Sequence, residues 1–236
     1  MYKYQPKNRE ELIKAIEQEI YEIQGTPENP NWKADLNNID TSLITDMSYL
    51  FSVPTGLDKF NGDISEWDVN NVKNMSWMFA YSSFNSDISK WDVKNVIDMG
   101  NMFTYSKFNG DISNWNVGNV EDMTLMFNGS LFNQDISKWN VGNVKHMSGM
   151  FTHSKFNSDI SKWDVGNVCD MYRIFENTPF NQDISKWNLS NVVNKKDMLK
   201  NTPLENFEKR LQAQDQKVDM NDEDVDVDND EFEIGR

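Results

Sequence analysis

Apolar residues recur along this chain with a fixed period of 24 residues. Phe60, Phe84, Phe108, Phe132, Phe156 and Phe180 keep that step, and so do Trp67, Trp91, Trp115, Trp139, Trp163 and Trp187. One unit, Phe60 to Ser83, reads FNGDISEWDVNNVKNMSWMFAYSS. Two shorter periods lie within it. Trp67 and Val69 alternate with Glu66, Asp68 and Asn70, the pattern of a half-buried strand. Val72, Met75, Met78 and Phe79 then follow the i, i+3, i+6, i+7 spacing of a short helix face. Asn71 precedes that run where an N-cap belongs, and it recurs as Asn95, Asn119, Asn143, Asn167 and Asn191. The expectation is one short parallel strand and one short helix per coil.

A unit with eight apolar side chains does not offset the entropy of ordering 24 residues, so units must stack to fold. The stack begins with a half unit, Asp40 to Phe51, and four extra residues fall in SVPTGLDK before Phe60. It ends in a degraded unit, where Lys195 and Leu199 replace the usual methionine and phenylalanine. Before it, Asn8-Arg9-Glu10-Glu11 resembles a capping box. Leu12, Ile13, Ile16, Ile20 and Ile23 form an apolar stripe, with Gly25 as a stop. After the stack, Leu204, Phe207 and Leu211 predict a short cap helix. The expected organisation is a capping helix and loop over 1–39, a solenoid of a half repeat plus six repeats over 40–200, a cap helix over 201–214, and a disordered acidic tail over 215–236.

Composition narrows the functional classes. The formal charge is -15, the reverse of the basic footprint that nucleic-acid binding requires. Cys169 is the single cysteine, which excludes an internal disulfide framework. No apolar run approaches the length of a membrane span. The N-terminal twenty residues lack a signal-peptide core, so a cytoplasmic location is the default expectation.

Several of the repeated columns carry groups capable of chemistry. The tryptophans sit in the inward slot and read as core rather than as sugar- or peptide-binding platforms; the methionines read as core packing. The Asp63-type column (Asp63, Asp87, Asp111, Asp135, Asp159, Asp183) fits an Asx turn better than a row of cation ligands. The next column, Asp68, Asp92, Asn116, Asn140, Asp164, Asn188, exchanges Asp for Asn freely, which suits hydrogen bonding rather than metal ligation. The best functional candidate is the outward face of the expected strands: Lys90, Asp92, Lys138, Asn140, Lys162, Asp164, Lys186 and Asn188, a concave strand face for a partner, against a plain solvated surface of mutually neutralising charges. Unit-specific residues Trp77, Tyr81, Tyr105, Leu125, His153 and Tyr172 read as exposed, and the aromatic ones as possible anchors. In the tail, Asp222, Asp224, Asp226, Asp228, Asp230 and Glu233 have EF-hand spacing, but Val227 occupies the glycine position. His146 and His153 lie in one unit without counterparts, and Cys169 has no base visible in the sequence, so no catalytic set, metal centre or cofactor is expected.

The unit FN-x-D-I-S-x-W-[DN]-V-x-N-V-x-x-M-x-x-MF, over Asp40 to about Leu199, resembles the BspA-like leucine-rich-repeat surface proteins, including the repeat of mycoplasma-type lipoproteins. Ile64-x-x-Trp67-x-Val69 has the form of a leucine-rich-repeat strand. The fold class is therefore read as α/β, a right-handed leucine-rich-repeat-like solenoid with helical caps. The resemblance implies a non-enzymatic bacterial protein, often surface-exposed and assigned to adhesion or host-protein binding. The expected function is protein–protein recognition along the solenoid, with self-association through its ends also open. An exported adhesin for host proteins or glycans and a calcium-dependent binder are the alternatives.

Overall fold

The computed structural model describes residues 2–207 and 209. Helix α1, Arg9–Gln18, starts where the capping pattern placed it: Asn8 Oδ1 accepts the Glu11 N–H at 3.0 Å, and Glu11 Oε2 accepts the Lys7 N–H at 2.9 Å. A π-helical turn, Glu19–Ile23, prolongs it. Leu12, Ile16 and Ile20 are fully buried against the first coil, whereas Ile23, expected on the same stripe, faces solvent. Gly25 allows the chain to double back. A Cβ there would stand 2.3 Å from the Ile20 carbonyl oxygen and 2.4 Å from the Asn31 nitrogen, and those two atoms belong to a backbone hydrogen bond.

The core is a set of stacked aromatic columns with the 24-residue period of the sequence, which gives a solenoid-like repeat. Phe79, Phe103, Phe127, Phe151 and Phe175 stack at 5.6–5.8 Å, in near-parallel planes. Phe84, Phe108, Phe132, Phe156 and Phe180 form a second column at 6.3–6.4 Å. The columns interlock within each coil: Phe79 lies 4.2 Å from Phe84, and Phe175 lies 3.9 Å from Phe180. The six tryptophans of the Trp67 column complete the interior at 3–7% exposure, with Trp67–Trp91 and Trp91–Trp115 stacked at 6.5 and 6.4 Å.

The strand and helix expected in each unit do not form. In the Met75–Tyr81 segment, alternate N–H groups leave the coil: Met75, Trp77, Phe79 and Tyr81 donate to carbonyls of Asp98, Gly100, Met102 and Thr104 at 2.7–3.0 Å. Between them, the Met78 and Ala80 N–H groups close tight turns to Met75 and Trp77, and the Ser76 N–H donates to Asn74 Oδ1 at 2.8 Å. Trp77 and Tyr81 have φ of 60° and 58°, left-handed values that end any right-handed helix. Identical coils lying parallel present each other with a matched row of carbonyls. Bonds between coils therefore displace the i to i−4 bonds that a short helix alone would make. Pairing reduces to single parallel bridges, Asp46 to Asn74, Asn74 to Asp98, Asp98 to Asp122 and onward to Asn194.

The Ile64–Val69 segment fails as a strand for a related reason. The Ile64 carbonyl accepts the Trp67 N–H at 3.2 Å and the indole Nε1–H of Trp91, one coil on, at 3.1 Å. Both lone pairs are engaged, so no backbone ladder grows there. Side chains link the coils on this side instead. Asn61 Oδ1 accepts the Asn85 N–H at 2.8 Å, and Asn95 Nδ2 donates to the Asn70 carbonyl at 2.8 Å. The Asn71-type residues are thus struts between coils, not helix N-caps.

The first coil would expose an unpaired row of carbonyls. Arg9 Nε donates to the Ser48 carbonyl. Thr55 Oγ1 donates to the Leu50 and Ser52 carbonyls at 3.0 and 2.8 Å. Thr55 closes the 3-10 turn Val53–Thr55 within the four extra residues of SVPTGLDK. The irregular insertion therefore covers an edge that would otherwise template pairing. At the far end Leu204 and Phe207 pack on the core, and residues 205–207 are helical. Leu211 and segment 215–236, with its EF-hand spacing, lie outside the described residues. Among the described residues, no helix is long and apolar enough to cross a membrane.

Candidate functional site

All eight residues read from the sequence as a partner face are exposed: Lys90, Asp92, Lys138, Asn140, Lys162, Asp164, Lys186 and Asn188. They fall in columns one coil apart, on the side of the tryptophans. No strand underlies them; each stands in a turn. Asp92, Asn140, Asp164 and Asn188 each use Oδ1 to accept the N–H two residues on, from Lys94, Gly142, Gly166 and Ser190, at 3.1–3.3 Å. Asp and Asn both supply that acceptor, which explains their free exchange along the column. A hydrogen bond from the Lys94 ammonium, at 2.7 Å, holds the Asp92 carboxyl below the usual carboxylate range.

The neighbouring aspartate column forms Asx turns, as its spacing predicts. Asp63, Asp87, Asp111, Asp135, Asp159 and Asp183 each accept the N–H of the serine two residues on at 2.9 Å. That backbone bond, first among several causes, keeps these carboxyls low. The Lys138, Lys162 and Lys186 charges act in the same direction on Asp135, Asp159 and Asp183. Lys90 also reaches Glu66 at 3.2 Å. The face thus offers acceptors fixed at a regular spacing by backbone turns, with lysines beside them at positions 90, 138, 162 and 186.

The structure brings together a second set that the sequence reading placed on helices. Positive φ recurs in two columns. One runs Tyr49, Trp77, Asn101, Leu125, Gly149, Arg173, Asp197, and the other Tyr81, Tyr105, Gly129, His153, Asn177, Asn201. Trp77, Tyr81, Tyr105, Leu125 and His153 thus share one backbone conformation, while Tyr172 stands beside it under the Arg173 guanidinium at 4.7 Å. Tyr49 stacks on Trp77 at 5.6 Å and Tyr81 on Tyr105 at 5.2 Å. The Tyr105 ring covers Gly129 so closely that a Cβ there would stand 2.4 Å from it. Further along, the columns turn polar: Arg173 pairs with Glu176 at 3.3 Å and Asp197 at 3.5 Å, and Asn177 Oδ1 accepts from Asn201 Nδ2 at 2.7 Å. A sequence signal for these columns existed. Gly and Asn recur in them and no β-branched residue does, the signature of left-handed backbone.

His146 and His153 do not converge. His146 lies in the bridge column between Asp122 and Asp170, with Nδ1 3.7 Å from Cys169 Sγ. His153 lies in the exposed left-handed column, 3.4 Å from Asn177 Nδ2. Asp98, half-buried in the bridge column, is the one described aspartate whose carboxyl is pushed up; burial is the main cause and the Asp122 and Asp46 charges add to it.

Among known proteins, neither the curated sequences nor the solved structures contain a significant match. A family profile described as Mycoplasma protein of unknown function, DUF285, matches residues 22–131 and again residues 106–214. Two overlapping matches are what a tandem array of one unit produces, and together they run from the end of the π-helical turn through every coil. The chain belongs to this DUF285 family of repeat proteins.

Proposed function

We propose that this protein is a non-enzymatic recognition module that binds a protein partner along its exposed columns, chiefly Lys90, Asp92, Lys138, Asn140, Lys162, Asp164, Lys186 and Asn188. The observation that carries this reading is the rigidity of the face. Asp92, Asn140, Asp164 and Asn188 each close an Asx turn within their coil, and the Asn95-type residues beside them bond to the preceding coil, so the backbone that presents the face loses little freedom on binding. A partner surface with alternating acidic and basic groups would meet complementary charges along the Lys90 and Lys138–Lys186 coils, each of which also carries an Asx-turn aspartate. We also propose the organisation into a capping segment over 1–39, the repeat array over 40–200 and a C-terminal cap over 201–214.

The test is affinity capture from the native cell with the full chain and with Lys138→Glu, Lys162→Glu, Lys186→Glu combined. Loss of a specific partner in the variant, with an unchanged melting curve, supports the reading. An unchanged partner set refutes the assignment to this face. The resemblance of the repeat to BspA-like surface proteins favours a second reading, an exported adhesin. Protease treatment of intact cells separates the two, since protection of the protein excludes the adhesin.

A further inference from the structure

The repeats supply an internal control for what the fold requires at each position, and His146 fails it. The bridge column runs Asp46, Asn74, Asp98, Asp122, His146, Asp170, Asn194. Asp46, Asn74, Asp98, Asp122 and Asp170 each use Oδ1 to accept the N–H two residues on, at 2.7–2.9 Å. Histidine gives up that bond: among the described residues the Ser148 N–H has no such acceptor, and only the Ser148 hydroxyl is engaged, on the Tyr172 carbonyl at 3.3 Å. The imidazole is therefore not a demand of the solenoid. Neither is the thiol of Cys169, whose column otherwise holds Lys73, Ile97, Glu121, Lys145 and Val193. The stack sets these two singular residues side by side.

Cys169 is half-buried and His146 is exposed, so the pair is open to small molecules. Cys169 Sγ lies 3.7 Å from His146 Nδ1, and it donates to the Lys145 carbonyl at 3.2 Å. The S–H turns about the Cβ–Sγ bond and reaches either acceptor, and an imidazole protonated on Nε2 leaves Nδ1 free to accept. The charged neighbours are Asp122 and Asp170, on either side of His146 in the bridge column, and Lys145, which is paired with Glu121 at 2.7 Å. Among the described residues no third His, Cys, Asp or Glu completes a metal-ligand group with the pair. The arrangement is that of a thiol beside a base.

We propose that Cys169 is a site of reversible S-thiolation by low-molecular-weight disulfides, with His146 as its base. The thiol proton passes from Sγ to His146 Nδ1. The thiolate attacks one sulfur of the bound disulfide, a new S–S bond forms to Cys169, and the S–S bond of the substrate breaks. The departing thiolate takes the proton from the imidazolium. The Cys169 sulfur is thereby oxidised to the disulfide level, and the released half of the substrate is reduced to a thiol. Cys169 is the single cysteine of the chain, so no internal thiol displaces the attached group. The mixed disulfide persists until an external thiol attacks it. The event is stoichiometric, one group per chain, and it uses none of the residues of the proposed partner face, so it stands or falls apart from that reading.

The experiment treats the full chain with glutathione disulfide and, for rates at neutral pH, with dithiodipyridine, an uncharged disulfide that releases a chromophore. Mass spectrometry should find one glutathione on the Cys169 peptide, removed by added thiol. His146→Asn restores the amide that Asn74 and Asn194 already supply in the column, so the melting curve should hold while the dithiodipyridine rate falls about tenfold or more. A second protein, Cys169→Val with Val193→Cys, moves the thiol one coil on. Position 193 is 90% exposed, and Asp170 stands there in the place of the imidazole. Exposure alone would make the relocated thiol the faster; dependence on a base makes it the slower. Absence of the glutathione adduct, a His146→Asn rate within about twofold of the parent's, or a relocated thiol as fast as Cys169 overturns the proposal.

Discussion

The indole Nε1 of Trp115 donates to the carbonyl oxygen of Ile88, one coil back, at 3.1 Å in a buried setting. The same bond joins Trp67 to Leu36, Trp91 to Ile64, Trp139 to Ile112, Trp163 to Ile136 and Trp187 to Ile160, at 3.0–3.3 Å. Tryptophan is fixed at this position because it fills the core and also carries a donor to the neighbouring coil; phenylalanine does only the first. Trp115→Phe should destabilise by about 1–3 kcal/mol through the lost bond and lost volume. Urea unfolding followed by circular dichroism measures it, and an unchanged midpoint would refute the role.

Asn143 separates a strut from a cap. Its Nδ2 donates to the Gly118 carbonyl at 2.6 Å. An N-cap would tolerate aspartate as well as asparagine. A strut would not, because aspartate removes the donor and sets a carboxylate against a carbonyl. Asn143→Asp should cost about 1 kcal/mol or more, visible as a lowered Tm, whereas a neutral result would restore the cap.

The period itself predicts which deletions fold. Removing residues 108–131 joins Lys107 to Phe132 in register, and every column closes over the gap. That protein should keep one cooperative melting transition. Removing residues 108–119 places polar turn residues in the core columns and should abolish it.

Asp98 stands between Asn74 and Asp122 in the bridge column and shares its side with Asp46; the Gly100 N–H opposes their effect. Its raised folded-state carboxyl means that the charged form is disfavoured in the native protein. The penalty is present at neutral pH and relieved as pH falls through the folded-state value. Asp98→Asn keeps the acceptor for Gly100, as Asn74 does for Ser76 at 2.8 Å. It should therefore stabilise by about 0.2–1 kcal/mol at pH 7, and the gain should shrink on acidification. Melting curves of both proteins across pH 7 to 4 test this.

The Asx-turn aspartates have the opposite sign. Their folded-state carboxyls are lowered, so their contribution is complete above the unfolded value of about 3.9 and is lost as pH falls through the folded ones. Tm should decline progressively below pH 4. Asp135→Asn should lessen that decline, since asparagine accepts the Ser137 N–H at any pH; a decline identical to the parent's would remove Asp135 from the account.

The sequence by itself determined the period, the inward positions and the Asx turns. Phe84, Trp91, Val96 and Met99 are buried because an unbroken register of large apolar residues has one way to leave water, which is coil upon coil. Asp87 forms its turn because the acceptor and the Ser89 N–H are two residues apart. Those are local or purely periodic facts. What only the tertiary structure decided is where the backbone hydrogen bonds go. The Met75–Phe79 spacing satisfies a helix, yet the carbonyls of Asp98, Gly100 and Met102 in the next coil take those N–H groups. The Ile64 carbonyl fits a strand, yet Trp91 occupies it from outside the unit. The partners stand 23 and 27 residues away in sequence, and a neighbour at that separation becomes adjacent only after the coils have stacked. The apposition of His146 and Cys169 has the same origin. Their side chains meet because residues 23 apart in sequence fall side by side in successive coils, a relation that propensity along a single unit does not contain.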